Sequence, residues 1–206
     1  MSGFFITIEG GEGAGKSTLI QALTAYFEEQ QIKFIATREP GGSDLAEKIR
    51  ELLLLDLASE MQALTELLLM FASRNQHIQE RILPALKADM IVLCDRFTDS
   101  SYAYQGAGRE LGFHTVAKLE QLVHPELQPN LTLLLDIPVT LGQQRKRGDV
   151  ADRIEQESVV FFERVREGYL LRAQAEPERF IILDASLAPD ILFKRTLSEI
   201  KNRIKS

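Results

Sequence analysis

The stretch that most constrains this chain is Gly10-Gly11-Glu12-Gly13-Ala14-Gly15-Lys16-Ser17-Thr18, which fits G-x-x-x-x-G-K-[ST]. Before it runs Phe4-Phe5-Ile6-Thr7-Ile8, an apolar, β-branched segment that reads as a buried strand. After it, Leu19, Ile20, Leu23, Ala25, Tyr26 and Phe27 recur at roughly helical spacing. Strand, glycine loop and helix together make an anion nest. Glycines let the backbone curl with its N–H groups inward, and the helix N-terminus adds positive potential. Lys16 is placed to reach the β- and γ-phosphates of a nucleotide, and the Ser17 hydroxyl to ligate Mg²⁺. The plain alternative, a glycine-rich turn before an ordinary helix, leaves the strand and helix in register unexplained.

Further along, Ile32–Ala36 reads as a second strand ending in the loop Thr37-Arg38-Glu39-Pro40-Gly41-Gly42. Ser43 offers an N-cap to a helix reaching about Leu55, with Asp44 and Glu47 in its first turn. A longer helical region covers about Ser59 to Lys87, bent or broken near Pro84, with Leu64, Leu67, Leu68, Phe71, Ile78 and Ile82 on its buried face. Met90–Cys94 is a third strand, followed by Asp95-Arg96-Phe97 and a polar, aromatic stretch from Thr98 to Gly108. A helix around Thr115 to Leu122, a strand at Leu131–Asp136 and a helix from Pro138 to Gly148 come next. Ile154 to Ala175 reads as a long helix, Phe180–Leu183 as a fifth strand, and Pro189 to Ile204 as a final helix. Strands alternating with helices predict an α/β fold with a parallel sheet covered on both faces. The 206 residues, 45% hydrophobic, suit one domain (1–206) with a full core.

Composition excludes several classes. A net charge of −6 argues against a nucleic-acid-coating surface. The single Cys94 permits no intrachain disulfide, which fits a reducing compartment, and its strand context makes it a small buried apolar residue. His77, His114 and His124 lack metal-ligand spacing. No basic-then-apolar N-terminal signal and no membrane-length apolar run occur, so a cytoplasmic protein without membrane partners is expected.

In open parallel sheets ligands gather at the carboxyl ends of the strands, and here those ends carry Glu9-Gly10, Arg38, Asp95-Arg96 and Asp136. Asp95 stands where an acidic residue can hold Mg²⁺ beside Ser17; a structural pair with a nearby arginine is the alternative. Arg38 and Arg96 could each fork onto a phosphate, although either alone reads equally well as a surface ion pair. Arg74 shares a helix face with Met70 and Phe71, which a core stripe explains, but Arg74 then needs a polar partner such as a base-recognition wall. Arg145, Lys146, Arg147 and Arg153 flank Gly148-Asp149. They read either as cations complementing a helix C-terminus or as a lid, about 145–153, that brings arginines to a triphosphate. Asp152 and Glu155 can be accounted for by internal ion pairs.

The stretches Glu9 to Ser17, Thr37 to Gly42, Asp95 to Phe97 and Ser101 to Gly106 (Ser-Tyr-Ala-Tyr-Gln-Gly) together resemble the thymidylate kinases. The phosphate loop is shared by many NTPases, whereas Arg38-Glu39-Pro40-Gly41-Gly42 and Tyr104-Gln105-Gly106 are far more specific, and the likeness spans essentially the whole chain. The resemblance implies a nucleoside-monophosphate-kinase variant of the P-loop fold with a five-stranded parallel sheet. It also implies a homodimer and the reaction of ATP with dTMP to give ADP and dTDP with Mg²⁺. By position, Arg38 and Arg96 are implied as clamps on the dTMP phosphate and Glu12 as the carboxylate facing the sugar 3′-hydroxyl. Arg74 and Gln105, with Ser101 nearby, are implied to hydrogen-bond the thymine edges, and Tyr104 to crowd C2′. The position that stacks on the base is often aromatic in the family. Here it is Met70, with Phe71 next to it, and a methionine can lie against a ring through its polarisable sulfur. The loop lacks the arginine found in one group of these kinases, so the chain is similar to the group that uses lid arginines. That makes Arg147 and Arg153 the catalytic candidates, with Arg145 a third.

The chemistry expected is in-line phosphoryl transfer without a covalent intermediate: loop amides, Lys16 and Mg²⁺ on the triphosphate, arginines on the acceptor and on the transferring group. A GTPase switch would need Asn-Lys-x-Asp and Asp-x-x-Gly, and neither occurs. A different P-loop kinase would not be expected to carry both specific elements. A non-catalytic nucleotide-binding module would have no use for so many phosphate-facing arginines.

Overall fold

Five parallel strands, ordered β2-β3-β1-β4-β5, carry the architecture in a computed structural model that describes residues 3–55, 61–146 and 152–205. They are β1 (Phe4–Gly10), β2 (Phe34–Arg38), β3 (Ile91–Asp95), β4 (Leu131–Asp136) and β5 (Phe180–Asp184). The chain turns from β1 to the neighbouring β3 on one side and β4 on the other, so the topological switch lies at the end of β1, where the glycine loop begins.

Alternation along β1 sorts the two layers. Ile6 and Ile8 face one way, packing with Leu19, Leu23 and Phe27 of α1 (Lys16–Glu29), Leu131, Leu133 and Leu135 of β4, and Leu192 and Ile200 of α9 (Pro189–Lys205). Each such fully buried side chain contributes about 2 kcal/mol of burial free energy. Phe5 faces the other way against Ile78, Ile82, Val92, Cys94 and Phe97, confirming Cys94 as a buried free thiol. Farther along that face, Leu134 and Phe180 pack against Phe161, Phe162, Val165 and Tyr169 of α8 (Val159–Ala175). Glu9 shares Phe5's face, and that alternation carries a carboxylate into the interior at 0% exposure.

Several sequence expectations shift. β2 runs through Thr37 and Arg38 instead of ending at Ala36, because both pair with β3 in register. Ser43 does precede α2 (Asp44–Leu54), but its hydroxyl makes no capping bond and is buried without a partner among the described residues; Glu47 instead accepts from the Gly42 N–H at 2.8 Å. The long helix is described from Ala63: α3 (Ala63–His77) passes through a π-turn at Ile78–Ile82 into α4 (Leu83–Lys87). The widened turn lies just ahead of Pro84 and accommodates the proline ring and its missing N–H, so the helix continues through the place where a bend or a break was expected. The stretch 98–108 is helical, α5 (Thr98–Ser101) running into a seven-residue π-helix, Tyr102–Gly108. Its glycines hide that helix from a propensity reading. Both face neighbours that leave no room for a side chain, Gly106 against Phe113 and Gly108 against Phe161. α6 (Phe113–Val123) and α7 (Val139–Arg145) lie near their predicted places. The helix predicted from Ile154 begins at Val159; turns occupy the residues before it, where Asp152 Oδ1 accepts from the Ile154 and Glu155 N–H groups at 2.9 Å each.

Candidate active site

A cleft of about 940 Å³ opens at the carboxyl edge of the sheet. Its wall includes Glu12, Gly13, Ala14, Gly15, Lys16, Ser17 and Thr18 of the glycine loop, Met70 and Arg74 of α3, Ser101, Tyr104 and Gln105 of the 98–108 stretch, and Asp95 and Arg96 at the end of β3. Gly10 and Gly11 sit behind this wall, and their carbonyls accept from Lys16 Nζ at 3.1 and 2.9 Å. The loop conformation demands glycine at two points. Gly15, the residue before α1, has φ +88°. Gly13 has φ +69°, and a Cβ there would run into the Gly142 carbonyl of α7. Lys16 is buried, and burial with Arg96 nearby pushes its pKa down to about 8, although Glu12, Asp95 and Glu9 pull it up.

Arg96 ties the glycine loop to the 98–108 stretch. Its backbone φ of +68° is unusual for a side chain of this size and turns the chain out of β3, while its N–H donates to the Ile8 carbonyl at 3.0 Å. The guanidinium donates to Gly10 O at 2.9 Å, Tyr169 Oη at 3.0 Å and Glu12 Oε1 at 2.6 Å, and lies over the Tyr104 ring. Glu12 also accepts from Tyr104 Oη at 3.0 Å and Lys146 Nζ at 2.9 Å. Burial opposes its ionisation, but Arg96, Lys16 and Lys146 hold its carboxyl far below the usual range. Lys146 also pairs with Glu155. Glu9, accepting from Ser100 Oγ (2.6 Å), the Phe97 N–H (2.7 Å) and Tyr169 Oη (3.1 Å), is pushed up to about 8 by burial and by Asp99, against Ser100, the Arg96 charge and the Phe97 N–H.

Arg74 is buried at 2% exposure, and its polar partner is a protein carboxylate, not only a ligand-facing wall. Nε donates to Glu39 Oε2 at 2.7 Å, one terminal nitrogen to Ser101 Oγ at 3.1 Å and the other to the Phe97 carbonyl at 3.1 Å. That accounts for three of its five N–H groups, leaving two for the cleft it lines. Of the two stacking candidates, Met70 lines the cleft; Phe71 does not, lying buried with Leu67, Tyr102 and Val116 under the Arg74 guanidinium.

Three sequence candidates lie elsewhere. Arg38 is not in the cleft wall: successive strand residues point to opposite faces, Thr37 meets His77, and Arg38 turns to Glu47 at 3.0 Å, half-exposed. Arg153 donates to Glu66 at 2.7 Å and to the Leu53 carbonyl at 3.2 Å, away from the glycine loop. Asp136 is taken by the two-pronged Arg166 contact at 2.7 and 2.9 Å. Arg147 lies outside the described residues, whereas Arg145 lines the cleft and donates to the Ala185 carbonyl at 2.8 Å.

Residues that sequence reasoning missed include Arg50, Tyr169 and Glu66. Arg50, on α2, lines the cleft and donates to the Pro40 carbonyl at 2.9 Å. It follows the Arg38–Gly42 element by eight residues on an ordinary amphipathic helix, so nothing local marks it. Tyr169 reaches Arg96 and Glu9 from a helix more than 70 positions later in the chain.

The residues present fit a divalent cation held partly by a nucleotide. Asp95 lines the cleft together with Ser17, and its Oδ1 is buried with no hydrogen-bond partner among the described residues. Among the described residues no cluster of three His, Cys, Asp or Glu side chains could hold a metal alone, which suits a cation completed by phosphate oxygens and water.

A family model described as "Thymidylate kinase" matches residues 8–195. This chain belongs to the thymidylate kinase family. The thymidylate kinase of Pseudomonas entomophila is 54% identical over 188 residues, covering 90% of this chain and 89% of the relative. That of one Pseudomonas putida strain is 55% identical over 184 residues, covering 88% of each. A crystal structure of thymidylate kinase from Ehrlichia chaffeensis superposes with a TM-score of 0.78 at 30% identity, covering 97% of this chain and 99% of that one. The family's P-loop kinase fold is the five-stranded parallel sheet described above. No helix of the described residues is long and apolar enough to cross a membrane.

Proposed function

We propose that this chain transfers the γ-phosphoryl group of ATP to dTMP, giving ADP and dTDP, in a single domain acting in the cytoplasm. One observation carries the reading: a single cleft is lined by the glycine loop and by Arg74, Gln105 and Met70, and by Arg96, whose guanidinium touches both Glu12 and the Tyr104 ring. A phosphate-binding end and a planar-base end on either side of a fixed cation suit two nucleotides meeting phosphate to phosphate.

The loop amides and the α1 N-terminus hold the triphosphate, and Lys16 exchanges its loop carbonyls for phosphate oxygens. Ser17 and Asp95 would hold Mg²⁺, which supplies charge neutralisation on the phosphates. Arg96 grips the acceptor phosphate together with Arg50, which takes the place first given to Arg38. Because Arg96 is already anchored on Gly10 O and Tyr169, it presents its charge with little reorganisation. The remaining Arg74 donors suit a pyrimidine carbonyl, Gln105 the ring edge beside it, and Met70 the ring face. Glu12 faces the sugar 3′-hydroxyl and Tyr104 the C2′ side. No general base is required, since a phosphate acceptor is ionised near neutral pH.

Charge on the transferring group falls to the 145–153 segment. Arg147 remains the first candidate, and Arg153 would have to leave Glu66 to serve. A homodimer belongs to the same proposal; Leu45 and Leu52 on α2 and Leu64 and Leu68 on α3 supply exposed apolar surface, and light scattering on the purified chain tests it.

The test of function is ADP release from Mg-ATP with dTMP, dUMP, UMP, dGMP and dCMP supplied singly. Strong preference for dTMP is expected. Turnover with another monophosphate instead overturns the base pocket, and no turnover with any overturns the kinase reading.

A further inference from the structure

Behind the base end of the cleft lies a carboxylate that the phosphoryl-transfer chemistry does not use. Glu66, in the first turn of α3, is 0% exposed. Its Oε1 accepts from Gln105 Nε2 at 2.8 Å and from Arg109 Nε at 3.4 Å. Its Oε2 accepts from Arg153 at 2.7 Å and from Arg109 at 3.2 Å. Arg109 is itself paired with Glu157. Burial opposes ionisation of Glu66, but the Gln105 amide and the two arginines hold its pKa below the ordinary value. The position in the first turn of a helix adds to the same effect.

An ionised carboxylate only accepts hydrogen bonds. It can therefore meet the Gln105 side chain only through the NH₂ end, never through the carbonyl. Which way a glutamine amide points is normally decided by its neighbours, and here the neighbour permits one answer. Gln105 is itself 1% exposed and lines the cleft. With its NH₂ end turned to Glu66, the amide keeps its carbonyl at the other end, as the acceptor it can offer a ligand.

We propose that Glu66 is a positioning residue that locks the Gln105 amide with its carbonyl toward the cleft, so that the site selects pyrimidines carrying a ring N–H. A thymine or uracil ring donates at N3, and a cytosine ring presents a bare acceptor there. Against cytosine the fixed carbonyl faces a lone pair, and the amide cannot turn over without setting its own carbonyl against a carboxylate. This rests on the assignment of Gln105 to the base end of the dTMP pocket.

The test compares kcat/KM for dTMP and for 5-methyl-dCMP, which differ only at N3 and the 4-position. In Glu66→Gln the new side chain has one carbonyl, and Arg109 and Arg153 claim it as donors. Its NH₂ then faces Gln105, which must turn its carbonyl inward and its NH₂ to the cleft. The preference for dTMP over 5-methyl-dCMP should fall about tenfold or more, with the dTMP value declining and the other rising relative to it. In a Gln105→Ala background the same substitution should leave the ratio unchanged. Equal losses for both substrates, or a ratio within about twofold of the parent, would mean that Glu66 serves only packing and would overturn the proposal. An unsubstituted chain with no preference for dTMP would instead overturn the base-pocket assignment, and this inference with it. Should Glu66→Gln fail to fold, Glu66→Asp keeps the charge facing both arginines while withdrawing it from Gln105. It must lower the ratio in the same direction for the proposal to stand.

Discussion

Nucleotide binding by this chain should take up a proton at alkaline pH, and the buried Lys16 sets where. In the free protein burial and the Arg96 charge bring its pKa down to about 8. Against an ordinary value of 10.5, that corresponds to about 3 kcal/mol favouring the neutral amine. A triphosphate beside Nζ reverses the balance, because it offers anionic oxygens as hydrogen-bond partners where Nζ now donates to the neutral Gly10 and Gly11 carbonyls. The sign follows from linkage. Free protein binds fewer protons at Lys16 than the complex does above about pH 8, so affinity must fall as pH rises through that range. Between about pH 8.5 and 9.5 the Kd for Mg-ATP should rise roughly eightfold, and near pH 9 binding should take up about 0.9 proton. For folding the sign is opposite: between about 8 and 10.5 the unfolded chain holds more protons at this lysine than the native one, so its contribution to stability grows with pH. Isothermal titration in two buffers of different ionisation enthalpy measures the uptake directly, and Lys16→Arg, charged throughout, should flatten the dependence even if it weakens binding. A pH-independent Kd with no proton uptake across this range would refute the reasoning.

Other expectations concern single side chains. Arg96→Ala should lower kcat/KM for dTMP by about 10³ or more while the thermal transition survives, and near-normal turnover would sink its placement. Arg50→Ala should raise KM for dTMP well beyond the effect of Arg38→Ala, whose guanidinium pairs with Glu47 outside the cleft; the reverse order would restore the original clamp. Gly13→Ala forces a Cβ against Gly142 at a positive φ and should cost about 1–3 kcal/mol in chemical denaturation together with loss of ATP binding, whereas retained affinity would show that the loop can shift. Glu39→Gln leaves Arg74 without its carboxylate in a 2%-exposed site and should destabilise by about 3–5 kcal/mol; a change below about 1 kcal/mol would show that Ser101 and the Phe97 carbonyl suffice.

Local chemistry made much of this protein legible. The glycine loop, its flanking strand and helix, and the alternation that buries Ile6 and Ile8 on one face follow from short-range sterics and periodicity, and they predict the parallel sheet and the place of the loop in the cleft wall. Asp95 and Arg96 were readable because a strand end is a fixed place. The 98–108 helix was not, because its glycines serve close packing against Phe113 and Phe161 from other elements. Arg38 and Arg50 show the same limit. Both are arginines near one motif, and only the facing of β2 and the seat of α2 decide which one enters the cleft.

By itself, the order of residues determined the fold class, the glycine loop between β1 and α1 and the set of charges gathered at the strand ends, since each is written in contiguous stretches. Only the tertiary structure decided which charges are spent on the protein. Glu39 takes up Arg74, Glu66 takes up Arg153, Arg166 takes up Asp136, and Arg96 is anchored between Glu12 and Tyr169. A buried charge must find its partner wherever the fold brings one, and those partners lie tens of residues away in sequence, where no local pattern records them.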